Sequence, residues 1–113
     1  MEMTVSELAG PVTLVRLVGR LDAPGADRIE LRFTTAVIAQ GRDALIDLSG
    51  VAFVASMGIR LLISTARGLS LKGRRMVVFG ARELVQGVFD DAALDQIIPI
   101  VATEDQALAE LAA

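Results

Sequence analysis

Three groups of residues in this chain have the types and positions to do chemistry. The first is a lone hydroxyl, Ser56, in the stretch Phe53-Val54-Ala55-Ser56-Met57-Gly58-Ile59-Arg60, where an apolar run gives way to a helical pattern. A helix start offers free N–H groups and about half a positive charge, which favour an anion placed there, phosphate included. Ser56 therefore reads either as a plain helix N-cap, worth about 1 kcal/mol, or as a phosphate acceptor, and the two roles are compatible. The second group is Asp22 and Asp47, each close to the end of an apolar run. They suggest a metal or phosphoaspartate site, but neither an acidic pair nor a suitably placed lysine accompanies them, so turn and cap roles fit better. The third is Arg67, Lys72, Arg74 and Arg75. This cluster reads as the basic end of a helix and a solvated turn rather than a nucleotide or acidic-partner site.

The totals exclude much else. The chain has no histidine and no cysteine. That removes Ser-His-Asp and Cys-His catalysis, disulfides and most zinc sites. There is no G-x-G-x-x-G, no P-loop and no carboxylate pair with glycosidase logic, so the expectation is a non-enzyme without metal or cofactor. A formal net charge of −3 argues against direct nucleic-acid binding. The 113 residues suit one domain, 1–113, with a core of its own, and Met1 and a capped last helix read as its two ends. Apolar residues make up 53%, above the usual 45–50% or roughly so. No apolar stretch approaches the roughly 18 residues of a membrane span, and the acidic start M-E-M-T-V-S-E-L is unlike a signal peptide. A soluble, cytoplasmic protein is expected. Its apolar surplus belongs to a two-sided core, a partner-binding face or both, and permits a homodimer.

The elements that must position these groups follow from periodicity. Val12–Val18 is a strand rich in β-branched residues, and an earlier one includes Met3–Leu8. Ala23-Pro24-Gly25 opens a helix with Ile29, Phe33, Ala36 and Val37 at helical spacing, stopped by Gln40-Gly41. Ala44–Leu48 is a second clear strand, Ser49-Gly50 a turn, and a helix runs from Met57 to Leu69. The wholly apolar Met76–Phe79 suits a parallel strand buried on both faces. A helix over 81–89, an edge strand over 97–101 marked by Pro99, and a helix over 103–111 complete the chain. Thr103 and Gln106 have capping-box spacing. The order β-β-α-β-α-β-α-β-α predicts an α/β fold with a mostly parallel or mixed sheet of 4–5 strands and about four helices.

At about 100° per residue, the helix after Ser56 places Ile59, Ile63 and Ala66 on one face, expected on the sheet, with Leu62 and Leu69 beside them. Met57 and Leu61 fall opposite. Apolar residues on a solvent face mark a partner contact, and methionine suits one. The predicted partner surface is Ala55, Met57, Arg60 and Leu61 around Ser56, with Asp22 nearby.

The block Asp47-Leu48-Ser49-Gly50-Val51-Ala52-Phe53-Val54-Ala55-Ser56-Met57-Gly58-Ile59, with Gly19-Arg20-Leu21-Asp22 upstream, resembles the signature of STAS domains of the anti-sigma factor antagonist type. The resemblance implies a bacterial regulatory module without a catalytic centre, phosphorylated on Ser56 by a partner serine kinase that is also the anti-sigma factor, and reset by a phosphatase. Unphosphorylated, such a domain binds that partner and frees a sigma factor. Two positions depart from the family pattern: Ala55 stands where an acidic residue is usual, and Met57 where serine or threonine is common. They favour an alternative, a STAS subunit that works unphosphorylated in a larger stress-signalling or transporter-associated complex. A small enzyme or nucleotide-binding domain is a third reading, and the missing His, Cys and phosphate loop count against it.

Overall fold

The computed structural model describes residues 1–8 and 10–113. Five strands form one sheet in sequence order: β1 (Glu2–Leu8), β2 (Val12–Leu21), β3 (Asp43–Val54), β4 (Met76–Phe79) and β5 (Ile100–Val101). β1 and β2 are an antiparallel hairpin, and each later strand joins its predecessor in parallel. The parallel joins need crossovers. α1 (Ala23–Thr34), α2 (Ser56–Ser70) and α3 (Glu83–Asp91) supply them, and α4 (Glu104–Ala112) follows β5. The mixed α/β architecture expected from the pattern is the one observed.

Period-two alternation sorts the strands into two layers. Ala44, Ile46 and Leu48 of β3 join Val15, Leu17, Phe33, Leu62, Leu69, Val85 and Phe89 in the larger core, under α1, α2 and α3. Leu45 faces the other way and packs with Leu14, Val77, Phe79 and Ala107 under α4. The apolar surplus thus goes largely into a two-sided core. Phe33 and Phe89 are fully buried, and truncating either to alanine costs about 3–5 kcal/mol.

Four details differ from the sequence expectation. Ser49-Gly50 is not a turn, because β3 runs straight through it and Gly50 pairs with Val18. A Cβ on Gly50 would lie 2.8 Å from Val18 Cγ2, so glycine here permits close packing inside a strand. The first helix gives way to a π-helical turn, Thr35–Ala39, ahead of Gly41. The last strand is only Ile100–Val101, because Ile97 and Ile98 turn their N–H groups back to Leu94 O, closing a 3-10 turn over Leu94–Gln96. The face of α2 is rotated: Gly58, Leu61, Leu62, Thr65 and Leu69 are buried, while Ile59, Ile63 and Ala66 are half-buried at its flank. The Thr103 capping box is present as expected.

Candidate functional site

Two strand-to-helix junctions stand side by side at the carboxyl ends of β2 and β3. At the first, Asp22 caps α1: its Oδ1 accepts the Gly25 N–H at 2.9 Å. Its Oδ2 accepts from Arg20 Nε at 3.2 Å. The Gly25 N–H and, less strongly, Arg20 hold the Asp22 carboxyl below its ordinary pKa. The Arg20 guanidinium stands over the Phe53 ring, 4.4 Å from its centre.

At the second junction, β3 ends at Val54 and the Ala55 N–H donates to Leu21 O at 3.0 Å. Ala55, not Ser56, is the N-cap of α2, and it offers no side-chain cap. The expectation that Ser56 serves as a plain N-cap is therefore corrected: Ser56 is the first helical residue, and it is exposed. Met57 beside it is 44% exposed. Its sulfur accepts from Arg60 Nη1 at 3.7 Å.

Both helices approach β2 so closely that only glycine fits. A Cβ on Gly25 would lie 2.1 Å from Arg20 O. One on Gly58 would lie 2.5 Å from Leu21 O and 2.6 Å from Leu21 Cγ. The first turns of α1 and α2 are thereby pressed onto adjacent residues of β2, Arg20 and Leu21.

The structure brings Ala55, Ser56, Met57 and Arg60 together, with Asp22 on the neighbouring junction. The solvent-facing orientation expected for Leu61 is corrected. Leu61 is only 6% exposed, because the rotated face of α2 turns it inward. It lies at the base of an open groove between α1 and α2, lined also by Ala26, Asp27, Glu30, Met57 and Arg60. Sequence reasoning missed Arg20 and Phe53, which link the two junctions. They are register partners on parallel strands, a signal visible only once β2 and β3 are paired.

Asp47 belongs to a different place. Burial raises its pKa, but the Ser49 N–H at 2.9 Å and Arg16 Nε at 2.8 Å outweigh burial and hold it below the ordinary value. The pair ties β2 to β3 on the α4 side of the sheet. Among the described residues, no group of three or more acidic side chains is placed to hold a metal.

The profile of the STAS domain family matches residues 3–107. The chain belongs to the STAS domain family. An anti-sigma F factor antagonist of Paenibacillus polymyxa is 29% identical over 101 residues, 88% of this chain and 86% of that protein. The crystal structure of an anti-sigma factor antagonist from Mycobacterium paratuberculosis superposes with a TM-score of 0.88 at 26% identity, covering 99% of this chain and 94% of that one. The Bacillus cell fate determinant SpoIIAA, solved in its phosphorylated form, shares the fold at 21% identity with a TM-score of 0.70, covering 96% and 98% of the two chains.

In this STAS domain the family block spans the C-terminal half of β3 and the first turn of α2. The basic residues do not converge into one site. Arg67 lines the α1–α2 groove, Lys72 donates to Ile38 O at 3.0 Å, and Arg75 holds Glu110 of α4 at 3.1 Å. No helix among the described residues is long and apolar enough to cross a membrane.

Proposed function

We propose that this STAS domain is an anti-sigma factor antagonist: a regulatory, non-enzymatic module that binds an anti-sigma factor through the surface around Ser56. Ser56 accepts a phosphate from that partner, acting as a serine kinase, and a phosphatase removes it. The observation that carries the reading is an exposed Ser56 at the uncapped start of a 15-residue helix, beside the exposed Met57. Ala55, Met57 and Arg60 form the contact, Leu61 supports it from beneath, and Asp22 flanks it. The antagonist names carried by the relatives support the same reading.

The physics of such a switch is straightforward. Phosphate adds nearly two negative charges at Ser56. The helix end repays about 0.3–2 kcal/mol of that. Closing an apolar contact containing Met57 over a dianion costs more, because buried charge without good partners is expensive. A net penalty of about 3 kcal/mol weakens binding roughly a hundredfold. The fold itself survives, since the hydroxyl is outside the core.

Intact-mass analysis of the protein from its native cells, beside a Ser56→Ala variant, is the test. One phosphate that disappears in the variant is expected. An unmodified mass in every growth condition would reject the switch. It would leave the second reading, a STAS subunit that works unphosphorylated within a larger assembly, which Ala55 and Met57 favour.

A further inference from the structure

The two edges of the sheet differ in kind. β5 closes one side with two residues, next to Pro99. Short, proline-flanked edges discourage further pairing. β1 forms the other edge with seven residues, Glu2-Met3-Thr4-Val5-Ser6-Glu7-Leu8, and contains no proline, lysine, arginine or glycine. Its register with β2 runs without a bulge from Glu2↔Val18 to Leu8↔Val12. Val5 at its midpoint is 48% exposed. A long, regular edge of this kind presents a row of N–H and C=O groups ready to take another strand.

We propose that β1 pairs antiparallel with β1 of a second copy of this chain, with Val5 facing Val5 across a twofold axis, so that two sheets become one. The occupant follows from self-complementarity. A twofold axis perpendicular to a sheet sets residues of equal parity opposite each other, because side chains alternate between faces. The register centred on Val5 overlaps the whole strand. It sets Thr4 against Ser6, Met3 against Glu7 and Glu2 against Leu8. A β-branched pair flanked by Thr–Ser pairs is a stabilising cross-strand set, and no carboxylate opposes another. Glu7, already paired with Arg42 at 3.0 Å, lies opposite Met3 of the other copy in this register. The dimer leaves α2 free, because α2 packs on β3 and β4 rather than on β1. Each dimer then presents two Ser56 surfaces.

The chain has no cysteine, so Val5→Cys places its only thiol on the twofold axis. Directly opposed Cα atoms of an antiparallel pair are about 4.5–5.5 Å apart, within disulfide reach. Under oxidised glutathione, Val5→Cys is expected to form a covalent dimer, while Leu8→Cys, which opposes Glu2, stays uncrosslinked. Sedimentation equilibrium of the unmodified protein is expected to show a concentration-dependent dimer. Val5→Lys should weaken it by about tenfold or more with an unchanged far-UV circular dichroism spectrum. Equal crosslinking of both cysteine variants, or a dimer indifferent to Val5→Lys, would overturn the proposal. So would a protein monomeric at millimolar concentration, which leaves the edge to a strand from another protein.

Discussion

The two junctions at the top of the sheet are built from one plan and finished differently. Each presses a glycine of its helix's first turn onto the end of β2. At the start of α1, Asp22 satisfies a backbone N–H, holds Arg20, and through Arg20 covers Phe53. At the start of α2, Ala55 leaves the first N–H groups without a side-chain acceptor. One helix end is closed by its own sequence. The other is left open directly beside an exposed hydroxyl. The difference teaches where an anion added from outside can do work: at α2 it meets unfilled donors, at α1 it would compete with a carboxylate.

The shared part of the plan can be broken most severely. Gly58→Ala and Gly25→Ala each force a Cβ into backbone oxygen, and each should lower unfolding free energy by about 3 kcal/mol, read by urea denaturation. Variants as stable as the parent would show that the close approach is not needed. The closed junction comes next. Asp22→Ala should reduce Tm by roughly 5 °C and loosen Arg20 from Phe53. Its effect depends on pH with a definite sign. Asp22 has a lowered pKa in the fold, so its contribution is complete above the ordinary aspartate value of about 3.9. It is lost as pH falls through the lowered value. The Tm gap between parent and Asp22→Ala should therefore narrow in acid; a constant gap would remove the charge from the explanation.

The open junction gives the smaller effects. Ala55→Asp supplies the missing acceptor and should add about 0.5–1 kcal/mol of stability, measured by the same denaturation. No gain would mean that α2 already satisfies its end by other means. Ser56→Asp should shift stability least, by less than about 0.5 kcal/mol and upward, since a carboxylate at the helix start meets the dipole favourably. Loss of anti-sigma factor binding in that same variant, measured by titration calorimetry, would separate the switch from the fold.

The strands and helices were legible from the sequence where one signal dominated. A run rich in β-branched residues gave β2, a mostly apolar run gave the first half of β3, and Thr103 with Gln106 gave the start of α4. Two of the errors came from small residues. Gly50 looked like a turn, but it is there so that β3 can close on Val18. Gly58 and Thr65 carry little hydrophobic signal, yet they are buried because α2 approaches the sheet on that side. Reading the bulkier Ile59 and Ile63 as the inner face turned Leu61 outward in the expectation. At the site, Ser56 and Met57 were visible because local pattern marks a helix start. The Arg20–Phe53 contact was not, because it depends on the register between two strands more than 30 residues apart, Gly19–Leu21 pairing with Val51–Val54.

The glycine contacts have a kinetic consequence. A surface whose supporting turns are wedged against a strand has little room to rearrange, so a partner meets it in its final shape. Association should then proceed in a single step at an ordinary rate for docked proteins, about 10⁵–10⁷ M⁻¹s⁻¹. If Ser56 is phosphorylated as proposed, the modified and unmodified forms would differ chiefly in how long the proposed complex lasts.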